Sequence, residues 1–256
     1  MPVAEQFARI ETFAAMTPAD RLHLEGASVR ANGGILRKAF EFLSRFVPSG
    51  LPDIVEASEY LKLGIPWMGG PLGAGDSDRI LLTTSAGEPD LWSQVLSLVP
   101  AEVSTAFVCA PFFDPKLAFV QRLLRDVRPL ELVIGIDPTS VEIDPDLAAA
   151  VPGVRWVNVA SVPSVPNRRE GSSHYLHAKL LWFAGKDGEL LVSGSANPSV
   201  AAFLAPSSTR NAEAVVADRR AGAGAEIGID ALIGAPSITP IDWKAVADRR
   251  SVMSTT

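Results

Sequence analysis

At 256 residues and 47% hydrophobic, the chain can bury one sizeable core with room for a smaller appended domain. A net charge of −6 argues against a protein that coats nucleic acid non-specifically, and a single cysteine excludes a disulfide framework within one chain. No stretch approaches the roughly 20 unbroken apolar residues of a membrane span, and acidic Glu5 stands where a signal peptide would carry basic residues. A cytoplasmic protein without stable membrane association is expected.

Residues 1 to about 65 read as helical. Phe7, Ile10 and Phe13 recur at helical spacing, Thr17-Pro18-Ala19-Asp20 has the form of a cap with proline at the first helical position, and Leu36 to Val47 repeats the amphipathic pattern. The Gly/Pro-rich stretch from Gly64 to Gly75 breaks both helix and strand and marks a boundary, so 1–75 is expected to be a helical region plus linker and 76–256 a second domain. That stretch is not a phosphate-cradling loop, because no Gly-Lys-Ser/Thr follows it.

Beyond the boundary, strand and helix patterns alternate. Strands are predicted at Arg79–Thr84, Val103–Cys109, Leu132–Ile136 and Val154–Val159; helices at Asp90–Leu98 and Asp114–Val127, with a short helical turn at Pro145–Ala150. The alternation predicts an α/β fold, a layered mixed β-sheet flanked by helices. Cys109 falls in the apolar run Ala106–Ala110 and reads as a buried strand residue. Trp67, Trp92, Trp156, Trp182 and Trp243 have no platform spacing and read as core or interface.

A loop over Ser161–Ser173, carrying Pro163, Pro166, Arg168 and Arg169, leads into Leu176–Phe183, which has the density of a strand. A hairpin to Glu189–Ser193 is predicted across Ala184–Gly188 with its Asp-Gly pair. On a strand, His177 and Lys179 share a face. An imidazole and an ammonium on one face can address one phosphate, the first attacking phosphorus and the second neutralising its oxygens. Asn197-Pro198 then reads as a helix start whose free backbone donors, with the Ser195 hydroxyl and the Asn197 amide, would form an anion pocket. Asn211 and Glu213, two apart on a predicted strand from Arg210 to Ala217, also share a face, and a carboxylate there can hold a histidine in the orientation that attack requires.

Charge supports this placement. From Arg155 to Arg220 eight basic residues face five acidic ones, so this segment is +3 and the remainder −9. A local positive field suits an anionic substrate, with Arg168 and Arg169 as candidate guides and a solvated surface as the plain alternative. His174 and His177 form a His-x-x-His pair, but on a strand the two would face apart, so no metal centre and no cofactor is expected.

His177-Ala178-Lys179, Gly194-Ser195-Ala196-Asn197 and Asn211-Ala212-Glu213, taken in that order, resemble the phospholipase D superfamily, over about 140 residues from the strand before Ala110-Pro111-Phe112-Phe113-Asp114 to Glu213. The resemblance implies that His177 is the nucleophile, that Lys179, Ser195 and Asn197 bind phosphate, and that Glu213 orients a histidine. The motif aspartate of that family is missing from its expected place, Ala184, and Asp187 in the turn is an uncertain substitute. Family members build one active site from two His-Lys sets; this chain has one, since neither His23 nor His174 has a lysine two residues on. Either two chains meet in a homodimer or a second half completes the site. Ile241 to Arg250 reads as a helix still under way, as a fragment of a longer two-motif protein would have it. The implied activity is metal-independent phosphodiester hydrolysis through a covalent phosphohistidine, with nucleic acid as the expected substrate. A phospholipid hydrolase or transferase, and a non-catalytic nucleic-acid or protein-binding half-domain, are the alternatives.

Overall fold

The computed structural model describes residues 35, 37–45, 52, 55, 56, 59, 79–85, 87–138, 140, 141, 143–159, 177–234 and 239–253. The chain divides into two compact units, Met1–Ile80 and Leu81–Thr256. In the first unit residues 37–44 are helical, within the amphipathic stretch read from the sequence. Phe7, Ile10, Phe13, the cap at 17–20 and the glycine-rich stretch at 64–75 lie outside the described residues, as do His23, Trp67, Arg168, Arg169 and His174.

The second unit is built on one mixed sheet. From Arg79 onward the elements in chain order are β1 (Arg79–Thr83), α1 (Leu91–Leu96), β2 (Thr105–Cys109), α2 (Ala118–Val127), β3 (Glu131–Ile136), α3 (Pro145–Ala150), β4 (Val154–Asn158), β5 (Leu180–Gly185), β6 (Gly188–Gly194), a π-helix (Val200–Leu204), β7 (Ala214–Arg219), α4 (Ala223–Glu226), α5 (Ile229–Gly234), β8 (Thr239–Pro240) and α6 (Trp243–Met253). Among the described residues the eight strands lie in the order β1-β7-β6-β5-β2-β3-β4-β8. β2, β3 and β4 run parallel, whereas β5, β6 and β7 form an antiparallel meander that joins them through the antiparallel β2–β5 pair. The layered α/β architecture expected from the alternation of patterns is the one observed.

Strand periodicity sorts the core into two layers. Ala106, Val108, Ile134, Leu181, Phe183, Leu190, Val192, Val215 and Ala217 face α1, α2 and the π-helix, where Trp92 and Phe119 meet edge to face at 5.2 Å and Phe119 and Phe203 lie 4.5 Å apart. The intervening residues Phe107, Cys109, Val133, Val157 and Trp182 pack on the other side with Ile229. Each large apolar side chain so buried contributes about 1.5–3 kcal/mol. This two-sided burial explains why residues 106–109 of β2 and 132–136 of β3 are continuously apolar rather than alternating.

Four local readings are corrected. α2 begins at Ala118, not at Asp114: Leu117 takes a left-handed conformation with φ 52°, and the Asp114 carboxylate reaches forward to accept from the N–H groups of Ala118 at 2.7 Å and Phe119 at 3.0 Å. The β5–β6 turn is two residues, Lys186-Asp187, rather than five, since Gly185 and Gly188 are already paired. β5 starts at Leu180 and β7 at Ala214, so the motif residues stand just ahead of their strands. The segment after β6 opens not at Asn197-Pro198 but at Ser199, whose hydroxyl accepts from Ala202 N–H and caps a five-residue π-helix.

Candidate active site

The topology gathers chain segments at one end of the sheet. Because β2, β3 and β4 are parallel and β5 is antiparallel to β2, the carboxyl ends of the three parallel strands stand beside the amino end of β5; Cys109 pairs with Leu180. β6 returns to that same end, where Leu180 pairs with Ser193 and Gly194 with Val215 at the start of β7. Extended pairing continues past β5, since Gly194 N–H donates to the Lys179 carbonyl. The strand ends therefore bring the segments of His177 and Lys179, Ser195 and Asn197, and Asn211 and Glu213 to one end of the sheet, although they are spread over 37 positions of sequence. Crevices at the carboxyl ends of strands are the usual ligand-binding places of open α/β sheets.

His177 is exposed and Lys179 half-buried, and their side chains meet: Lys179 Nζ lies 3.0 Å from one ring nitrogen of His177 and 3.3 Å from the other. The shared face predicted from strand parity thus holds even though both residues precede β5. Glu213 is buried, with its carboxylate accepting from the Ser195 hydroxyl in a short bond and from Asn211 Nδ2 at 3.3 Å. Ser195 is fully engaged: its oxygen accepts from Ala214 N–H at 3.1 Å while its proton goes to Glu213. A serine has one proton to give, so Ser195 can donate to a phosphate only by leaving the carboxylate. The Asn197 Oδ1 atom is buried and has no hydrogen-bond partner among the described residues. A buried amide acceptor left unpaired costs about 1–3 kcal/mol, and a ligand donor would remove that cost.

The anion pocket read from a helix start at Asn197 is absent in that form, because the π-helix begins at Val200 and Ser199 already occupies one of its first N–H groups. The two arginines nearest Glu213 in sequence, Arg210 and Arg219, are engaged elsewhere. Arg210 donates to the carbonyls of Ser85, Glu88 and Pro89, and Arg219 pairs with Asp187 at 3.0 Å. Asp187 additionally accepts from Ala101 N–H at 2.7 Å, which makes it a tie between the β5–β6 turn, the loop before β2 and β7. Cys109 is buried and its thiol is pushed up to about 12 by that burial, so it is held in the unreactive protonated form. Among the described residues no three His, Cys, Asp or Glu side chains gather as a metal centre would, and no helix is long and apolar enough to cross a membrane.

Sequence reasoning missed Thr84 and Arg210, which hold the Glu213 segment from the β1 side. Neither lies in a recognisable motif, and their partners are more than 120 positions away in the chain.

Fold and site together define a layered α/β domain carrying a polar, histidine-containing site at its strand ends. No protein-family model matches the chain, and no curated protein does. Among solved structures it is similar to NucT from Helicobacter pylori, at 12% identity over 69% of this chain and 93% of that one with a TM-score of 0.37. It is also similar to Nuc from Salmonella typhimurium, a phospholipase D family member, at 16% identity over 64% of this chain and 98% of that one with a TM-score of 0.42. A third likeness, to yeast tyrosyl-DNA phosphodiesterase, has 12% identity over 54% of this chain and 31% of that one, with a TM-score of 0.33. Likenesses at these TM-scores assign no function, which has to come from the residues at the site.

Proposed function

We propose that the chain is a metal-independent phosphodiesterase acting on nucleic acid through a covalent phosphohistidine. The observation that carries this is the contact of Lys179 Nζ with the His177 ring at 3.0 Å, at the end of the sheet where the segments bearing Ser195, Asn197 and Glu213 also leave their strands. The ammonium next to the imidazole can neutralise the phosphate oxygens as charge builds on them.

In the first step a His177 ring nitrogen forms a bond to phosphorus while the bond to the leaving oxygen breaks, and that oxygen takes a proton from a second histidine. In the second step water, giving its proton to that same histidine, attacks phosphorus and breaks the phosphorus–nitrogen bond. Because the chain carries one His-x-Lys set, the second histidine comes from a second copy of the chain or from a further half of a longer protein. Glu213 acts by holding Ser195 and Asn211 in place at the edge of the site.

The test is cleavage of single- and double-stranded DNA and of RNA in excess chelator, with phosphatidylcholine vesicles as a parallel substrate. Chelator-resistant cleavage of nucleic acid, reduced at least about 1000-fold in His177→Ala, is expected. Activity that disappears with chelator, or persists in His177→Ala, overturns the proposal, and preferential hydrolysis of the lipid moves the substrate assignment.

A further inference from the structure

Glu213 stands just before β7, and its backbone is held from the side opposite β6 by Thr84. Thr84 N–H donates to the Glu213 carbonyl at 3.0 Å, Glu213 N–H donates to Thr84 Oγ1 at 2.7 Å, and the same hydroxyl donates back to the Glu213 carbonyl at 3.3 Å. In a regular ladder the Glu213 N–H would find a backbone carbonyl; here a side-chain oxygen takes that place. Thr84 is 8% exposed and Glu213 7%, so water does not supply an alternative acceptor cheaply.

Thr84 is itself fixed. Its neighbours Thr83 and Ser85 are buried, with their hydroxyls 2.7 Å apart across it. Arg210, three residues ahead of Glu213, donates to the carbonyls of Ser85, Glu88 and Pro89, and Gln94 Nε2 donates to the carbonyls of Thr83 and Pro89 at 2.9 Å each. The loop that follows β1 is thereby strapped to the lead-in of β7. On its other side Glu213 takes the Ser195 proton and the Asn211 amide.

We propose that Thr84 is a positioning residue for the site: its hydroxyl sets where the Glu213 carboxylate stands, and through Glu213 it sets where Ser195 points. This rests on the phosphodiesterase reading above. Thr84 touches no reacting atom, so its removal should lower turnover while leaving substrate binding nearly intact.

The experiment compares Thr84→Val, which keeps the shape and loses the hydroxyl, with Thr84→Ser, which keeps the hydroxyl. In Thr84→Val, kcat for nucleic-acid cleavage in chelator should fall about 10-fold with KM within about 2-fold, and Thr84→Ser should recover most of the loss. Amide hydrogen exchange followed by NMR on the full chain gives a readout independent of activity. Protection of the Glu213 N–H should fall about 10-fold or more in Thr84→Val and return in Thr84→Ser, while Phe107 and Val133 in the sheet centre keep theirs. Unchanged protection at Glu213, or an unchanged kcat in a folded Thr84→Val, overturns the proposal. If the wild-type chain cleaves no phosphodiester, the phosphodiesterase reading fails by itself, and the exchange measurement still decides whether Thr84 holds Glu213.

Discussion

Gly194→Ala is the substitution whose consequence can be worked most directly from the geometry. Gly194 is the last residue of β6 and pairs with Val215 on β7. A Cβ there would lie 2.3 Å from the Ala214 carbonyl oxygen, 2.7 Å from Val215 Cα and 3.0 Å from Val215 Cγ1. Carbon contacts are comfortable at about 3.5–4.0 Å, so β7 has to retreat by on the order of 1 Å. Two of the three obstructing atoms are backbone and cannot rotate away. Overpacking of this kind costs about 1–3 kcal/mol. Weakening the Ser195 N–H bond to the Ala214 carbonyl and the Ala214 N–H bond to Ser195 Oγ, both 3.1 Å, adds about 1 kcal/mol. A loss near 3 kcal/mol corresponds to a Tm decrease of roughly 6–12 °C for a domain of this size. Calorimetry on the full chain measures it. Gly234→Ala serves as the control, because nothing lies within 4 Å of a Cβ at that position and its φ is not left-handed; its effect should stay within about 0.5 kcal/mol. A Gly194→Ala protein melting within about 2 °C of wild type would refute the claim that β6 and β7 are in backbone contact at the site.

Two further predictions concern carboxylates away from the site. Partial burial pushes the Asp126 carboxyl up, but hydrogen bonds from Arg122, Trp92 and Arg125 and the Arg122 charge outweigh it and hold the group down at about 2, against an ordinary 3.8. A depressed value in the folded state means stability that is full above pH 4 and is lost as pH falls from about 4 to about 2, worth about 1 kcal/mol once solvent screening is allowed for. Urea titrations at pH 2 to 6 should show Asp126→Asn lacking that part of the decline, and parallel curves for the two proteins would refute the assignment. Glu189 accepts from the Trp182 indole at 2.9 Å and from the N–H groups of Gly222 at 3.0 Å and Gly224 at 2.7 Å, fixing α4 where Gly224 lies against the Trp182 ring. Glu189→Ala leaves three donors unpaired and should cost about 2–4 kcal/mol in denaturant unfolding followed by tryptophan fluorescence, whereas a loss under about 0.5 kcal/mol would contradict the role.

The sequence carried most of the element pattern, because strands and helices impose different periods on apolar residues and those periods survive in a one-dimensional string. Strands at 79–83, 105–109 and 154–158 and helices at 91–96 and 145–150 lie within the predicted segments, and the strand at 131–136 starts one residue ahead of its prediction. Boundaries moved where a side chain reached several residues along the chain. Asp114 caps a helix that starts four residues later, and Ser199 rather than Asn197 caps the π-helix. Local propensity reports which residues can cap and not which one is placed to do so.

His177 and Lys179 were legible as a pair because two-residue spacing on extended chain is enough to put them on one face, and their contact at 3.0 Å needs nothing more distant. The partners of Glu213 were not legible. That its carboxylate meets Ser195, that its backbone is held by Thr84 from 129 positions earlier, and that Arg210 serves carbonyls at 85–89 all depend on which strands lie side by side. Strand order is set by non-local pairing in a mixed sheet, with β7 between β6 and β1 and β5 against β2, and no periodicity encodes it. The sequence by itself determined the faces and the chemistry of the candidate residues; the sheet decided which of them touch.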